Sequence, residues 1–238
     1  MLPPETEKLW NFLSTQSALG GFVLIGGSAL ALRIQHRLSE DLDFAFHGRQ
    51  LPRGSLAALT PSASAQGFTF TRDDDAAALQ EFSSGGLEPH DYQQDFLVNG
   101  SVKVSFFAPD APVLRSLAPP DPTKPRLATL QELFKTKCLV SALRSKSRDW
   151  LDLFLLLRDH GFTMRDYAEA FRAAGADGQR DLSWQRLCSG APQRDDEGFT
   201  HLLKNAPTVE EMKQFFIAQR DLLEIAEAEE ARRKNQAQ

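Results

Sequence analysis

Cysteine is scarce in this 238-residue sequence, and the histidines are not regularly spaced. The two cysteines, Cys138 and Cys188, form neither a CxxC pair nor a zinc-finger spacing. The five histidines show no metal-ligand spacing either. These absences argue against a disulfide-stapled secreted domain and against a zinc-bound fold. We therefore expect a protein with reduced thiols that works in the cytoplasm.

Long hydrophobic runs are also missing. No run approaches the roughly 18 apolar residues that a membrane-spanning helix requires. The N-terminus, MLPPETEKLWNFLSTQ, carries charges where a signal peptide needs an apolar core. The net charge of −5 gives no global positive field that would attract nucleic acid. We expect no membrane partner, and any binding of phosphate must rely on local positive charge.

The sequence changes character near its middle. Before residue 118, short apolar runs alternate with helical patterns, and Asn99-Gly100 is a strong hairpin signal. The run LAPPDPTKPR at 117–126 holds four prolines, which predicts a stiff connector. The pattern beyond it is helical. We predict an α/β (α+β) protein with a mixed-sheet domain over 1–118 and a helical domain over 119–238.

Individual elements follow from the same patterns. We expect strands over 22–25, 41–46, 67–71, 79–82, 96–98 and 101–107. We expect helices over 4–18, 29–34, 51–65 (with Pro61 ending this one), 129–144, 147–159, 163–174, 181–188 and 207–230.

Two aspartates separated by one residue, Asp41 and Asp43, begin the strand predicted over 41–46. Because side chains alternate between the faces of a strand, both carboxylates would point the same way, roughly 7 Å apart at the backbone. Two such carboxylates repel each other unless a cation lies between them. Magnesium is usually held by one or two carboxylates together with substrate phosphates. The pair predicts a Mg²⁺ site, and the alternative is a solvated strand end.

A glycine turn precedes this pair in LIGGSALAL. Gly26 and Gly27 allow the backbone to approach a ligand closely, and Ser28 is a candidate N-cap for the helix that follows. A helix N-terminus attracts phosphate. The turn is therefore a candidate phosphate site, and the alternative is a tight strand-to-helix connection. It is not a P-loop, because no Gly-Lys-Ser/Thr follows.

Two charged residues interrupt apolar patterns in the second half. Lys137 lies on the apolar stripe of the helix predicted over 129–144, where its ammonium must reach an anion or water. Asp152 lies beside leucines in the next helix and needs a partner. Lys137, Arg144 or Arg148 would satisfy it structurally, and a nearby substrate would satisfy it functionally.

Two motifs together resemble the AbiEii/AbiGii toxin family, whose members share the polymerase-beta-like nucleotidyltransferase fold. The stretch GGSALALRIQHRLSEDLDF is similar to the family's glycine–serine turn followed by Arg-x-Ser/Thr-x-Asp-x-Asp. The stretch KCLVSALRSKSRDWLDLFLL is similar to its Lys-x6-Arg-x-Lys-x-Arg-Asp-x-x-Asp-Leu segment. The motifs cover about 39 of the 238 residues. The matching positions are Gly26, Gly27, Ser28, Arg37, Ser39, Asp41, Asp43, Lys137, Arg144, Lys146, Arg148, Asp149, Asp152 and Leu153.

The resemblance implies an enzyme that transfers a nucleoside monophosphate from an NTP and releases pyrophosphate. It implies that Asp41 and Asp43 bind Mg²⁺ as catalytic ligands. It implies that Lys137 neutralises a phosphate and that Asp152 acts as a base or positions the nucleotide, both reaching a cleft from the helical domain. The implied nucleotide-binding residues are Gly26, Gly27, Ser28, Arg37, Ser39, Lys137 and Arg148.

The resemblance also implies partners. Because tRNA is a recurring acceptor among related toxins, it is the expected acceptor here. The seven basic residues between Lys124 and Arg148 would receive the triphosphate, RNA phosphates, or both. A toxin of this kind implies an antitoxin protein.

One position departs from the wider group, in which a third carboxylate often sits on a later strand. The equivalent strand is VKVSFF, and it carries Ser105 at that position. This argues against a full two-metal mechanism unless Asp152 substitutes. Two alternatives remain: transfer to a small molecule such as an aminoglycoside or to a protein hydroxyl, and a silent module that binds nucleotide or a partner without turnover.

Overall fold

The first half of the chain folds around a six-stranded mixed sheet in the computed structural model, which describes residues 1–74, 80 and 85–236. The strand order is β3-β4-β5-β2-β1-β6. The strand β1 pairs antiparallel with β2 and parallel with β6, whereas β2 pairs parallel with β5. The strands are β1 (Phe22–Ile25), β2 (Leu42–Phe46), β3 (Phe70–Arg72), β4 (Gln93–Val98), β5 (Val102–Phe107) and β6 (Arg126–Leu127).

Helices make up much of the remaining described chain. The described α-helices are α1 (Pro4–Leu13), α2 (Gly26–Ile34), α3 (Arg53–Ala65), α4 (Ala111–Ser116), α5 (Leu130–Leu143), α6 (Ser147–Asp159), α7 (Met164–Ala173), α8 (Arg180–Ser189) and α9 (Val209–Gln236). The chain divides into two compact units, Met1–Leu133 and Phe134–Gln238. This division falls inside α5, later than residue 118, because β6 joins the sheet. The expected mixed sheet followed by helices is confirmed. Among the described residues, no helix combines the length and hydropathy that crossing a membrane demands.

One face of the sheet forms the core of the first unit. Phe22, Phe44 and Phe106 come from three adjacent strands and are almost fully buried. The ring centroids of Phe44 and Phe106 lie 5.3 Å apart, and Trp10 of α1 lies 6.1 Å from Phe44. Since side chains alternate along a strand, packing this aromatic row against α1 turns Asp43 to the opposite face.

Several boundaries differ from the sequence-based expectations. The helix expected over 4–18 ends at Leu13, and β2 begins at Leu42 rather than at Asp41. The expectation that Pro61 ends its helix is wrong, because α3 continues to Ala65. Pro61 is exposed, whereas Leu56, Leu59 and Ala63 bury the opposite side of α3, and that burial outweighs one lost hydrogen bond. Helix α4 and strand β6 were not predicted, whereas strand β5, which precedes α4, was predicted.

Other expectations hold. The hairpin turn at Asn99-Gly100 is confirmed, and both residues have positive φ, +50° and +70°. Strand β1 and helix α6 match their expected bounds. The strand expected over 79–82 lies outside the described residues apart from Gln80, which is helical.

A buried carboxylate fixes the proline-rich connector to the start of α5. Glu132 accepts hydrogen bonds from the Ala118 backbone N–H at 2.6 Å, the Thr129 N–H at 2.7 Å and the Arg126 guanidinium at 2.7 and 2.9 Å. Burial alone would raise the pKa of Glu132, but these donors lower it from 4.5 to about 2. The connector is thereby held by one charged group.

We predict that Glu132→Gln lowers the free energy of unfolding at pH 7 by about 2 kcal/mol, because charge-assisted hydrogen bonds are lost. The folded pKa lies below the unfolded one, so this stabilisation is present above about pH 4.5 and disappears as the pH falls toward about 2. Urea unfolding at pH 7 and pH 3 measures it. A difference between variant and wild type that grows on acidification would contradict the assignment.

Candidate active site

The carboxylate of Asp43 lies directly against the backbone where α2 begins. Ile25, the last residue of β1, pairs with Asp43 of β2, and the chain then turns at Gly26 with φ +76°. A Cβ atom on Gly26 would stand 2.4 Å from Asp43 Oδ2. Only glycine permits both this backbone conformation and this approach. The Asp43 carboxylate and the N-terminus of α2 are therefore neighbours.

Ser28 holds the segment that leads into the acidic pair. The expectation that Ser28 caps the helix is wrong: α2 begins at Gly26 after Ile25, and Ser28 lies inside its first turn. The buried Ser28 hydroxyl donates a hydrogen bond to the Asp41 carbonyl and lies 3.1 Å from the Ser39 hydroxyl. Its observed role is to fix the chain just before β2.

Arg37 and Ser39 pack behind the same turn. A Cβ atom on Gly27 would stand 2.6 Å from Arg37 Nη2 and 2.8 Å from Ser39 Oγ. Both side chains are buried, and Arg37 Nη1 donates to the Leu38 carbonyl at 2.9 Å. The structure thus brings together the predicted residues of the first motif in one turn.

The two carboxylates fit a magnesium ion in donor type. Asp41 precedes β2 and is exposed, whereas Asp43 lies on β2 and is half-buried. No group of three or more histidine, cysteine, aspartate or glutamate side chains that could hold a metal occurs among the described residues. Two carboxylates suit Mg²⁺, which usually keeps water or phosphate oxygens as its remaining ligands.

Lys137 lies between two buried carboxylates of the second unit. Its Nζ donates to Asp149 Oδ1 at 2.6 Å and lies 2.6 Å from Asp152 Oδ2. Arg144 Nε adds a bond of 2.7 Å to Asp149 Oδ2. Asp152 is fully buried on α6, and Lys137 is 6% exposed on α5. Lys137 and Asp152, which interrupt apolar patterns in the sequence, thus belong to one cluster of two cations and two anions.

Asp149 links the two cations of this cluster. Burial would raise the pKa of Asp149, but Lys137 and Arg144 lower it below its usual range. Its ionised form therefore stabilises the fold above the pKa of an unfolded aspartate, about 3.9, and this contribution is lost as the pH falls through the lower folded value. The sequence placed Asp149 in the motif without giving it a role, and its signal was the position one turn before Asp152.

The basic segment from Lys124 to Arg148 is largely balanced by carboxylates. The described ion pairs join Arg126 to Glu132, Lys137 to Asp149 and Asp152, Arg144 to Asp149, Lys146 to Asp195, and Arg148 to Glu197. The nitrogen–oxygen distance between Arg148 and Glu197 is 3.0 Å, and Arg148 also donates to the Gly198 carbonyl. A phosphate that binds here has to compete with these partners.

Comparison with known proteins identifies the family of the chain. Residues 9–236 match the family described as nucleotidyl transferase AbiEii toxin, type IV toxin–antitoxin system. The chain belongs to the AbiEii family. It is therefore a nucleotidyltransferase toxin of a type IV toxin–antitoxin system, which implies an NTP substrate and an antitoxin partner.

Two solved structures align with most of this chain. MenT4, a nucleotidyltransferase toxin from Mycobacterium tuberculosis, aligns with a TM-score of 0.52 and 15% identity over 89% of this chain and 81% of that chain. A crystal structure from H. pylori aligns with a TM-score of 0.49 and 18% identity over 93% of this chain and 96% of that chain. No curated protein matches the sequence.

We predict that Gly26→Ala reduces transferase activity at least about tenfold, because the added methyl group displaces the Asp43 carboxylate. The matched control is Gly67→Ala. Gly67 has φ +80° but nothing within 4 Å of its Cβ position, so it carries the same backbone strain without the contact. Activity and thermal midpoint are measured for both. Equal activity in the two variants would show that the Asp43 contact is unimportant.

We predict that Lys137→Met costs about 3–5 kcal/mol of unfolding free energy, because it leaves buried carboxylates without their cation. Lys135→Met, two residues earlier on α5, is the control and should stay within about 0.5 kcal/mol of wild type. Chemical unfolding at pH 7 measures both. A similar small loss for the two lysines would refute a buried ion-pair cluster.

Proposed function

We propose that this toxin is a Mg²⁺-dependent enzyme that transfers a nucleoside monophosphate from an NTP to a hydroxyl group of tRNA. The observation that supports it most is the contact between the Asp43 carboxylate and the first residue of α2. It gives a metal ligand and a phosphate-attracting helix end as neighbours in one turn.

In this proposal Asp41 and Asp43 hold the Mg²⁺, which neutralises charge on the triphosphate. The backbone N–H groups of Gly26 and Gly27, at the start of α2, bind phosphate oxygens. Ser28, Ser39 and Arg37 keep this turn and the acidic pair in register. Nucleotidyl transfer depends mainly on such positioning and charge neutralisation.

The proposal also gives roles to Lys137 and Asp152, which lie in the second unit. Lys137 neutralises phosphate charge, and Asp152 positions the lysine and the nucleotide. Their separation of 2.6 Å in a buried cluster makes Lys137 a pre-oriented cation. Arg148, a predicted nucleotide contact, reaches phosphate by exchanging its bond to Glu197.

The charge balance of the basic segment bears on the identity of the acceptor. RNA affinity normally rests on phosphate contacts with lysine and arginine, and the balanced pairs of the basic segment reduce the charge available for them. This observation favours, as a second candidate, a small molecule or a protein hydroxyl as acceptor. With a labelled NTP, the two candidates differ in which molecule receives the labelled nucleotide.

The test is transfer of label from each of the four α-³²P-NTPs to bulk tRNA with Mg²⁺. We expect one or more NTPs to label tRNA, and we expect Asp43→Asn to reduce the rate at least about a hundredfold. Asp73→Asn, an exposed aspartate paired with Lys103 at 3.7 Å, serves as the matched control and should retain full activity.

Two outcomes would count against this function. Label that appears in protein or in small molecules but not in tRNA would favour the second acceptor class. Full activity after removal of Mg²⁺ with EDTA, or in Asp43→Asn, would remove the metal from the proposal.

A further inference from the structure

Four residues from four neighbouring strands form one row across the sheet. Ile25 of β1 pairs with Asp43 of β2, Asp43 pairs with Ser105 of β5, and Ser105 pairs with Asp95 of β4. Residues directly opposite each other on neighbouring strands project from the same face. Asp95 therefore projects from the face that carries Asp43, with Ser105 between them.

Asp95 has a buried carboxylate oxygen that is not used within the fold. The residue is 8% exposed, and its Oδ1 is buried without a hydrogen-bond partner in the described structure. Its other oxygen, Oδ2, accepts a hydrogen bond of 2.7 Å from Gln93 Nε2. A buried polar atom left unsatisfied destabilises a protein, so it calls for an explanation beyond stability.

The spacing along the row limits what Asp95 can do. Two strand spacings separate it from Asp43, roughly 10 Å between backbones. No group of three metal-ligating side chains occurs in the described part of the chain, so Asp95 is not simply a third ligand of the same ion. Because Ser105 has a short side chain, it leaves room for a substrate group between the carboxylates of Asp43 and Asp95.

The carboxylates of Asp152 and Asp95 have different partners. An oxygen of Asp152 lies 2.6 Å from the Lys137 ammonium and is occupied by that interaction. Asp95 Oδ1 has no such cation in its described contacts. The two acids differ in the availability of an oxygen.

We propose that Asp95 is a catalytic residue whose Oδ1 accepts the proton of the acceptor hydroxyl; this rests on the function proposed above. The hydroxyl oxygen forms a bond to the α-phosphorus, and the bond from that phosphorus to the oxygen bridging to the β-phosphorus breaks. Pyrophosphate leaves with that electron pair, and the hydroxyl proton moves to Asp95. The reaction needs no oxidant or reductant.

The central test is Asp95→Asn in the full chain. The amide keeps the size and the Gln93 contact but is a far weaker base. We expect pyrophosphate release and label transfer to fall at least about a hundredfold, with protection of the protein by Mg²⁺ and NTP in thermal unfolding unchanged. The thermal midpoint itself should not fall, because an unsatisfied charge has been removed.

A double variant distinguishes a catalytic role of Asp95 from a purely structural one. In the double variant Asp95→Asn/Ser105→Asp the carboxylate returns to the same row, one strand nearer to Asp43. We expect it to recover at least about tenfold of the lost rate, which a purely structural role of Asp95 would not produce. Asp73→Asn is the control on the neighbouring segment, whose N–H bonds the Asp95 carbonyl, and it should keep the wild-type rate.

The outcomes are distinct. A folded Asp95→Asn variant that keeps more than half the wild-type rate overturns the proposal, as does a rate loss accompanied by a lower midpoint and no recovery in the double variant. If wild type releases pyrophosphate but labels protein or small molecules instead of tRNA, the tRNA assignment fails and Asp95 is judged on that product. If wild type releases no pyrophosphate with any acceptor fraction, both proposals fail.

Discussion

The contact between Asp43 and Gly26 is the constraint on which the first unit depends. The register of β1 and β2 sets Asp43 beside Ile25, so the next residue must turn away without a side chain. Gly26 does so at positive φ, and α2 starts there. A carboxylate at a helix N-terminus is favoured by the helix dipole. The same contact therefore stabilises the turn and orients the Asp43 carboxylate.

The second unit contains buried charges that need partners. Lys137, Asp149 and Asp152 are buried, and burial of any one charge alone would be prohibitive. They are tolerated because short ion pairs join them, with Arg144 adding a partly exposed positive charge. Such a cluster contributes less to stability than its short distances suggest, because desolvation offsets the attraction. The two short contacts do fix the direction of the lysine amine.

Local sequence patterns were sufficient to predict several elements of the fold. The apolar run of β1 and the glycine turn identified their elements, and the spacing of the two motifs identified the family. Other features depend on pairing between distant residues. Arg148 meets Glu197, about fifty residues away, and Asp95 joins Asp43 only through Ser105. Neither partner could be inferred from periodicity, which reports faces and not registers.

Ser105 shows why register matters for reading a site. From the sequence, a serine at a position where a carboxylate is expected suggests a missing function. In the sheet, however, all members of a row share one face, so an acid on the neighbouring strand still projects toward the same side. Asp95 occupies that place, and its unpartnered oxygen is the kind of buried polar atom that stability alone does not favour. A chemical role can thus move by one strand and remain within the same row of side chains.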